Sequence, residues 1–186
     1  MSNPPRFVPP HLMPNFERQV PEGDSIQRLV CRDCGHIHYQ NPKIVVGAVV
    51  THQGKILLCR RAIEPRHGYW TIPAGYMEEG ETPEAGARRE AMEEACARIR
   101  LDALLGVYTV VHAAQVQLIY RASLDGDAFA PGPESLETAL FSFAEIPWTE
   151  LAFPTVKWAL NHFREVEGKS GFPPFVNPGA ALGDQL

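Results

Sequence analysis

The sequence predicts an α/β or α+β sandwich on a mixed sheet, and three observations carry that expectation. Short β-branched, apolar runs recur along the chain, a helix-forming segment interrupts them near the middle, and a second amphipathic segment follows the last of them. A parallel doubly wound fold would need a more regular alternation of strand and helix. At 186 residues, 45% hydrophobic and 21% charged, the chain fits one domain with a sizeable core and a small appendage.

Residues 1–30 read as an irregular arm, with four prolines among the first ten residues and no sustained period. A compact polar knuckle follows over 31–39, so residues 1–42 form an N-terminal appendage. The main domain is expected over 43–167. Residues 44–51 and 56–61 are apolar runs separated by His52-Gln53-Gly54-Lys55, a strand–turn–strand pattern. Residues 70–72 make a third short strand, ended by Pro73, and a glycine-containing loop over 75–82 leads into a helix over 83–97. Thr82 suits the N-cap, Pro83 the first helical position and Glu84 the positive helix end. Extended runs follow at 104–111 and 116–122, then a loop over 125–135 and a last strand at 139–143. Residues 154–166 form the closing helix, with Val156, Leu160 and Phe163 on one side, and 168–186 is a Gly/Pro-rich irregular tail.

Charge and composition exclude several classes of partner. The formal charge of -5 lacks the basic field of a protein that grips nucleic acid, and it disfavours such a partner. No apolar run approaches the roughly 18 residues of a membrane span, nor does the N-terminus resemble a signal segment. The four cysteines are Cys31, Cys34, Cys59 and Cys96; a chain with this core does not need disulfides, which points to the cytoplasm.

The chemistry lies in residues 75–97. At ~100° per residue, Glu93 and Glu94 fall on either side of Glu90 one turn away, so the three carboxylates share a face. Ala91, Met92 and Ala95 fall mainly on another face, suited to the sheet. Clustered carboxylates without interleaved lysines repel one another, and a hard divalent cation such as Mg²⁺ or Mn²⁺ relieves that conflict. Its open positions would take a diphosphate, and Arg89 could hold a carboxylate bidentately. A solvated, Glu-rich helix face is the competing interpretation of the spacing.

The whole arrangement resembles the Nudix box: Gly75, five residues, Glu81, seven residues, Arg89-Glu90, then Glu93-Glu94 in register. Cys96 stands where the family has glycine, and Ala91 and Ala97 fill the apolar positions. The resemblance implies an α/β/α Nudix sandwich and a pyrophosphatase that cleaves a nucleoside diphosphate linked to another group. It implies Glu90 and Glu94 as principal metal ligands, Glu93 assisting, a main-chain carbonyl from Gly75, and support from Glu81 and Arg89. It also implies a further glutamate from a later loop as ligand or general base, for which Glu134 and Glu137 are the candidates. Arg60, Arg61 and Arg66 are candidates for binding the substrate's phosphates.

Outside the box, Cys31-Arg-Asp-Cys34-Gly, Tyr39-Gln-Asn-Pro-Lys43, Leu57-Leu-Cys-Arg-Arg61 and Pro133-Glu134-Ser-Leu-Glu137 resemble a subgroup that begins with a zinc ribbon. That subgroup includes FAD and ADP-ribose pyrophosphatases, so FAD or ADP-ribose is the favoured substrate. The Ser-Gln-Pro-Trp-Pro-Phe-Pro run that marks NADH pyrophosphatases is absent, and no proline stands over 101–130, where many ADP-ribose hydrolases place one. An NADH or nucleotide-sugar pyrophosphatase and a non-catalytic nucleotide sensor are the alternatives. The complete box argues against the sensor. A third alternative makes the knuckle a protein or nucleic-acid contact site. Cys31 and Cys34 have the spacing of half a zinc site, while the subgroup's other pair falls on Pro10 and Met13, so the ribbon reads as degraded. His11, His36 and His38 could substitute in part. Family analogy also leaves a homodimer open.

Overall fold

The computed structural model describes residues 15–179, so Pro10, His11 and Met13 lie outside the described residues. These fall into two compact units, one ending at Asn41 and the other beginning at Pro42.

The first unit holds three antiparallel strands in the order β1 (Phe16–Gln19), β2 (Arg28–Cys31), β3 (Ile37–His38). Strands therefore stand within 16–31, where the sequence suggests an irregular arm. They are too short for an alternating pattern to emerge, and only Leu29 and Val30 are buried. The chain reverses between β1 and β2 where Asp24 N–H donates to the Pro21 carbonyl at 3.0 Å. Gly23 takes φ +81° there, and the Asp24 carboxylate receives the Ser25 and Ile26 N–H groups and the Arg28 guanidinium.

The second unit is a mixed sheet between two helices. Its strands are β4 (Lys43–His52), β5 (Lys55–Arg61), β6 (Trp70–Thr71), β7 (Ala74–Tyr76), β8 (Ile99–Val110), β9 (Gln115–Leu124) and β10 (Ser135–Phe141). Helices α1 (Pro83–Ala95) and α2 (Pro154–Val166) complete it. The main order is β10-β5-β4-β9-β8, with β6 on β5 and β7 on β4; β4 and β9 are parallel and the other pairs antiparallel. Strand alternation divides the core. Val46, Ala48, Val50, Leu57 and Cys59 pack with Ala87, Ala91 and Ala95 of α1, whereas Val49, Ile56 and Leu58 pack with Val156, Ala159, Leu160 and Phe163 of α2. This is the expected α/β/α sandwich. Among the described residues no helix is long and apolar enough to cross a membrane.

Three local departures bear on the site. Residues 74–76 are a strand and not the start of a loop: Gly75 pairs with Val46 on β4, and a Cβ there would meet the Glu90 carboxylate. Met92 is exposed, and Glu90 and Glu94 take the inner face with the alanines. Finally, Cys96 ends α1 in the left-handed region, φ 46° and ψ 30°, with its N–H directed at the Ala91 and Met92 carbonyls. That conformation favours glycine, because an L-residue there carries roughly 1–2 kcal/mol of steric energy. Cys96→Gly is accordingly expected to raise stability by about 0.5–1 kcal/mol after the unfolded-state entropy of glycine is counted. A thermal melt checks it: an unchanged or lower Tm would contradict this account of the helix end.

The residues after α2 lack regular structure yet are held in place. Phe175 N–H donates to the Leu105 carbonyl at 2.9 Å, and the Phe175 carbonyl accepts from Val107 N–H at 2.8 Å. The Asn177 amide bonds both the N–H and the carbonyl of Thr109. Thus part of the free edge of β8 is covered. The Phe175 ring stacks on His162 at 4.2 Å between centroids, and His162 Nδ1 lies 2.8 Å from the Tyr108 hydroxyl. Burial holds the His162 imidazole below its ordinary range, so the neutral form is the folded one. Below about pH 6.5 the unfolded chain binds a proton that the folded chain resists. The stability from this group is complete above that pH and falls as pH drops through it. His162→Gln should flatten the acid limb of a Tm-versus-pH curve. Parallel curves for the two proteins would show that His162 does not titrate this way.

Candidate functional site

Helix α1 is seated on the sheet by small residues. Thr82 caps it, its hydroxyl accepting from Ala85 N–H at 3.2 Å. A Cβ on Gly86 would lie 2.7 Å from Val46 Cγ2 and from Glu81 Oε1, so only glycine lets the helix approach this closely. A Cβ on Gly75 would run into the Glu90 carboxylate. The two glycines thereby leave room for Glu81 beside α1 and for Glu90 against β7.

Arg89 joins the acidic groups. Its Nε and Nη2 donate to the two Glu81 oxygens at 3.1 and 2.8 Å, and Nη1 donates to Glu90 Oε1 at 2.7 Å and Glu93 Oε2 at 2.8 Å. Nη2 also reaches the Tyr76 carbonyl at 2.9 Å. Glu81 accepts in addition from Glu78 N–H at 2.8 Å, and with Arg89 this lowers its pKa to about 2. The inner pair behaves in the opposite way. Glu90 and Glu94 are 7% and 6% exposed. Burial pushes the Glu90 carboxyl up against the pull of Arg89. Glu94 accepts the Ala74 N–H at 3.0 Å; burial, then the Glu90 charge, raises it to about 8 despite that bond.

These groups open onto a cleft of about 890 Å³. Gly75, Arg89, Glu90, Glu93 and Glu94 line it together with Glu134, Arg61 and Arg66. Glu134 is brought there by the loop after β9, which closes on the end of α1: Ala130 N–H bonds the Ala95 carbonyl and Gly132 N–H the Glu94 carbonyl. Its negative charge acts on both Glu90 and Glu94, and the Arg61 charge acts on Glu94. Two candidates lie elsewhere. Glu137 and Arg60 are outside the cleft, 3.7 Å apart from each other, and Arg60 Nε donates to the Gly68 carbonyl at 2.9 Å. Arg60 and Arg61 are successive on β5, so they point to opposite faces, and Glu137 pairs in register with Arg60.

Tyr76, Glu78, His112, Gln117 and Phe153 also line the cleft, and the sequence reading did not single them out. They come from separate strands and loops with no spacing that would link them. Cys31 and Cys34 are both free thiols in the first unit. Among the described residues no group of three or more His, Cys, Asp or Glu side chains stands at ligand spacing for an ion.

The chain resembles known proteins over most of its length. The NUDIX domain family model matches residues 41–162, and a second model, described as Nudix N-terminal, matches 14–40. The crystal structure of a NUDIX hydrolase from Nitrosomonas europaea is 44% identical, with a TM-score of 0.82, and the match covers 87% of this chain and 93% of that one. An ADP-ribose pyrophosphatase from Methanocaldococcus jannaschii is 28% identical over 134 residues, 70% of this chain and 78% of that protein. A MutT-like protein from Streptomyces ambofaciens is 38% identical over 91 residues, 49% of this chain. That match spans just over half of the Streptomyces protein, 57%.

Proposed function

Because the chain belongs to the Nudix family of hydrolases, we propose that it is a Mg²⁺- or Mn²⁺-dependent pyrophosphohydrolase. Its substrate is a nucleoside diphosphate linked to a second group, with ADP-ribose or FAD split into two monophosphates. The observation that carries this reading is the pair of buried carboxylates, Glu90 and Glu94, at the wall of a cleft of about 890 Å³. A cleft of that size suits a ligand with two bulky ends, since pockets for drug-sized molecules run from ~300 to ~1,000 Å³.

The donor set fits a hard cation. Glu81, Glu90 and Glu93 share one guanidinium, and Glu94 has a main-chain N–H as its hydrogen-bond donor. The acids therefore outnumber the cations around them. Two carboxylates, the Gly75 carbonyl and water form a set that Mg²⁺ accepts, since it keeps several waters and needs few protein ligands. When bound, the cation supplies charge neutralisation at the diphosphate and a water of lowered pKa.

The remaining roles belong to the chain. Glu90 and Glu94 would hold the ion, and Arg89 fixes the rotamers of Glu90 and Glu93 by its hydrogen bonds to both. Arg61 and Arg66 pair with phosphate oxygens across the cleft. Glu134, which lines the cleft, would receive the proton of the attacking water at its carboxylate; Glu137, outside the lining, is the other candidate. The aromatic faces of Tyr76 and Phe153 suit a base or flavin ring.

Incubation with ADP-ribose, FAD, NADH and nucleoside triphosphates, each with Mg²⁺, Mn²⁺ or chelator, tests the reading. Metal-dependent release of monophosphates from ADP-ribose or FAD is expected. Absence of metal-dependent turnover of every compound would overturn it, and preference for NADH would redirect the substrate assignment.

A further inference from the structure

The acids and arginines of the cleft have roles in the hydrolase proposed above, whereas a row of uncharged polar groups along its lining has none. Strand pairing sets both Tyr76 of β7 and Gln117 of β9 opposite Val45 of β4, and Gln115 opposite Lys43. Residues paired across strands share a face, as do residues two apart on one strand. Lys43, Val45, Tyr76, Gln115 and Gln117 therefore stand on one face of the sheet. All of them except Lys43 line the cleft.

Their polar groups are joined in one direction. Gln117 Nε2 donates to Gln115 Oε1 at 3.2 Å, and Gln115 Nε2 donates to the Tyr76 hydroxyl at 3.0 Å. The Tyr76 oxygen is an acceptor in this chain, so its own proton is left to be donated elsewhere. Among the described residues no side chain or carbonyl is hydrogen-bonded to that proton. Lys43 cannot take it, because an ammonium carries only donors; it lies 4.9 Å from the centre of the Tyr76 ring and covers one face of it. Tyr76 is 48% exposed, so its hydroxyl is open to a ligand. Its main chain is held as well, with the carbonyl accepting from Arg89 Nη2 at 2.9 Å. The same guanidinium binds Glu81, Glu90 and Glu93, which ties the position of the Tyr76 donor to that of the acids.

We propose that Tyr76 is a specificity-determining residue whose hydroxyl donates to an acceptor atom on the organic group of the substrate, beyond its phosphates. Gln115 and Gln117 are positioning residues that fix the direction of this donor. The acceptor is a sugar oxygen or a ring nitrogen of a nucleotide. The inference rests on the reading of the cleft as a site for a diphosphate joined to organic groups, and it adds which side chain senses one of those groups. A carboxylate in place of the Gln115 amide would accept the Tyr76 proton and turn it away from the ligand, so the identity of residue 115 controls the polarity of the site.

The test measures binding by calorimetry, with Mg²⁺ present, to the full chain and its variants. The main probe is the α,β-methylene analogue of ADP-ribose, in which CH₂ replaces the bridging oxygen and hydrolysis at the diphosphate is blocked. Methylenediphosphonate, the same bridge without organic groups, is the control. Tyr76→Phe should weaken the analogue by about 5-fold, the worth of one neutral hydrogen bond. It should change methylenediphosphonate by less than about twofold, which also shows that the variant is folded. Gln115→Glu should weaken the analogue by at least as much, but should cost clearly less when Tyr76→Phe is already present. With α,β-methylene-ADP, a loss in Tyr76→Phe supports the proposal with the acceptor on the adenosine end; a loss confined to the full analogue supports it with the acceptor on the ribosyl end. Unchanged affinity of Tyr76→Phe for the analogue, no binding of the analogue, or an equal loss for methylenediphosphonate would overturn the assignment. An equal cost of Gln115→Glu in both backgrounds would overturn the directed chain. The readout is affinity for compounds that are not turned over, so a protein that binds them as expected yet hydrolyses nothing would fail the hydrolase reading alone.

Discussion

Glu94→Gln is expected to lower kcat/KM by more than about 100-fold, beyond the roughly 10–100-fold range for groups that only orient metal ligands, and to stabilise the metal-free protein. Both effects follow from one feature. Glu94 sits 6% exposed with a main-chain N–H at 3.0 Å, and its carboxyl is raised to about 8. An ordinary carboxylate titrates near 4.5, so between that value and 8 the folded chain binds a proton that the unfolded chain has released. Stability contributed by this group is therefore full below about pH 4.5 and falls as pH rises through 8. Glutamine keeps an oxygen for the Ala74 N–H and has no charge to desolvate. Without divalent cation, its advantage in Tm should grow with pH, each kcal/mol being worth about 2–4 °C in a chain of this size. Saturating Mg²⁺ should reverse the order, because only the carboxylate gains binding energy from the ion. Unchanged turnover in Glu94→Gln would sink the ligand assignment, and a Tm difference independent of pH would sink its electrostatic origin.

The features legible in the sequence were those fixed by one element at a time. The strand–turn–strand over 44–61 announces itself by β-branched runs around a Gly-containing turn, and α1 by its cap, first-turn proline and helix formers. The spacing of Glu90, Glu93 and Glu94 needs only helical geometry, so their common edge could be read in advance. What they face could not. Glu90 and Glu94 lie on the inner face because alanine and glycine, at 86, 87, 91 and 95, let the helix sink onto β4 beside them; Met92 turns outward. Parity on β5 raised the same difficulty, since nothing local distinguishes Arg60 from Arg61 until the partner strands are known. Glu134 was separable from Glu137 only once the loop after β9 was seen bonded to the end of α1. The strands of the first unit and the segment covering β8 owe their form to pairing between distant residues, which leaves no period to detect.

Arg89→Ala is expected to have the second large effect, on stability and activity together. One guanidinium makes five hydrogen bonds to three carboxylates and the Tyr76 carbonyl. Its removal leaves Glu90, 7% exposed, with a buried charge and no cationic partner among those bonds. Stripping one member from such a pair costs about 3–5 kcal/mol, or roughly 6–20 °C in Tm for a chain of this length. Activity should fall by at least about 10-fold, the lower end for losing a group that orients metal ligands. Lysine keeps the charge but not the planar fork, so it can satisfy one carboxylate at a time; Arg89→Lys should recover less than half of either loss. Acid supplies the internal control. Arg89 holds Glu81 near 2, well below the ordinary 4.5, so the stability drawn from that pairing is present above 4.5 and disappears as pH falls toward 2. The gap between the unsubstituted protein and Arg89→Ala should narrow over that interval. If Arg89→Lys matched the unsubstituted protein in Tm and turnover, the fork geometry would carry no weight, and Arg89 would act as a point charge alone.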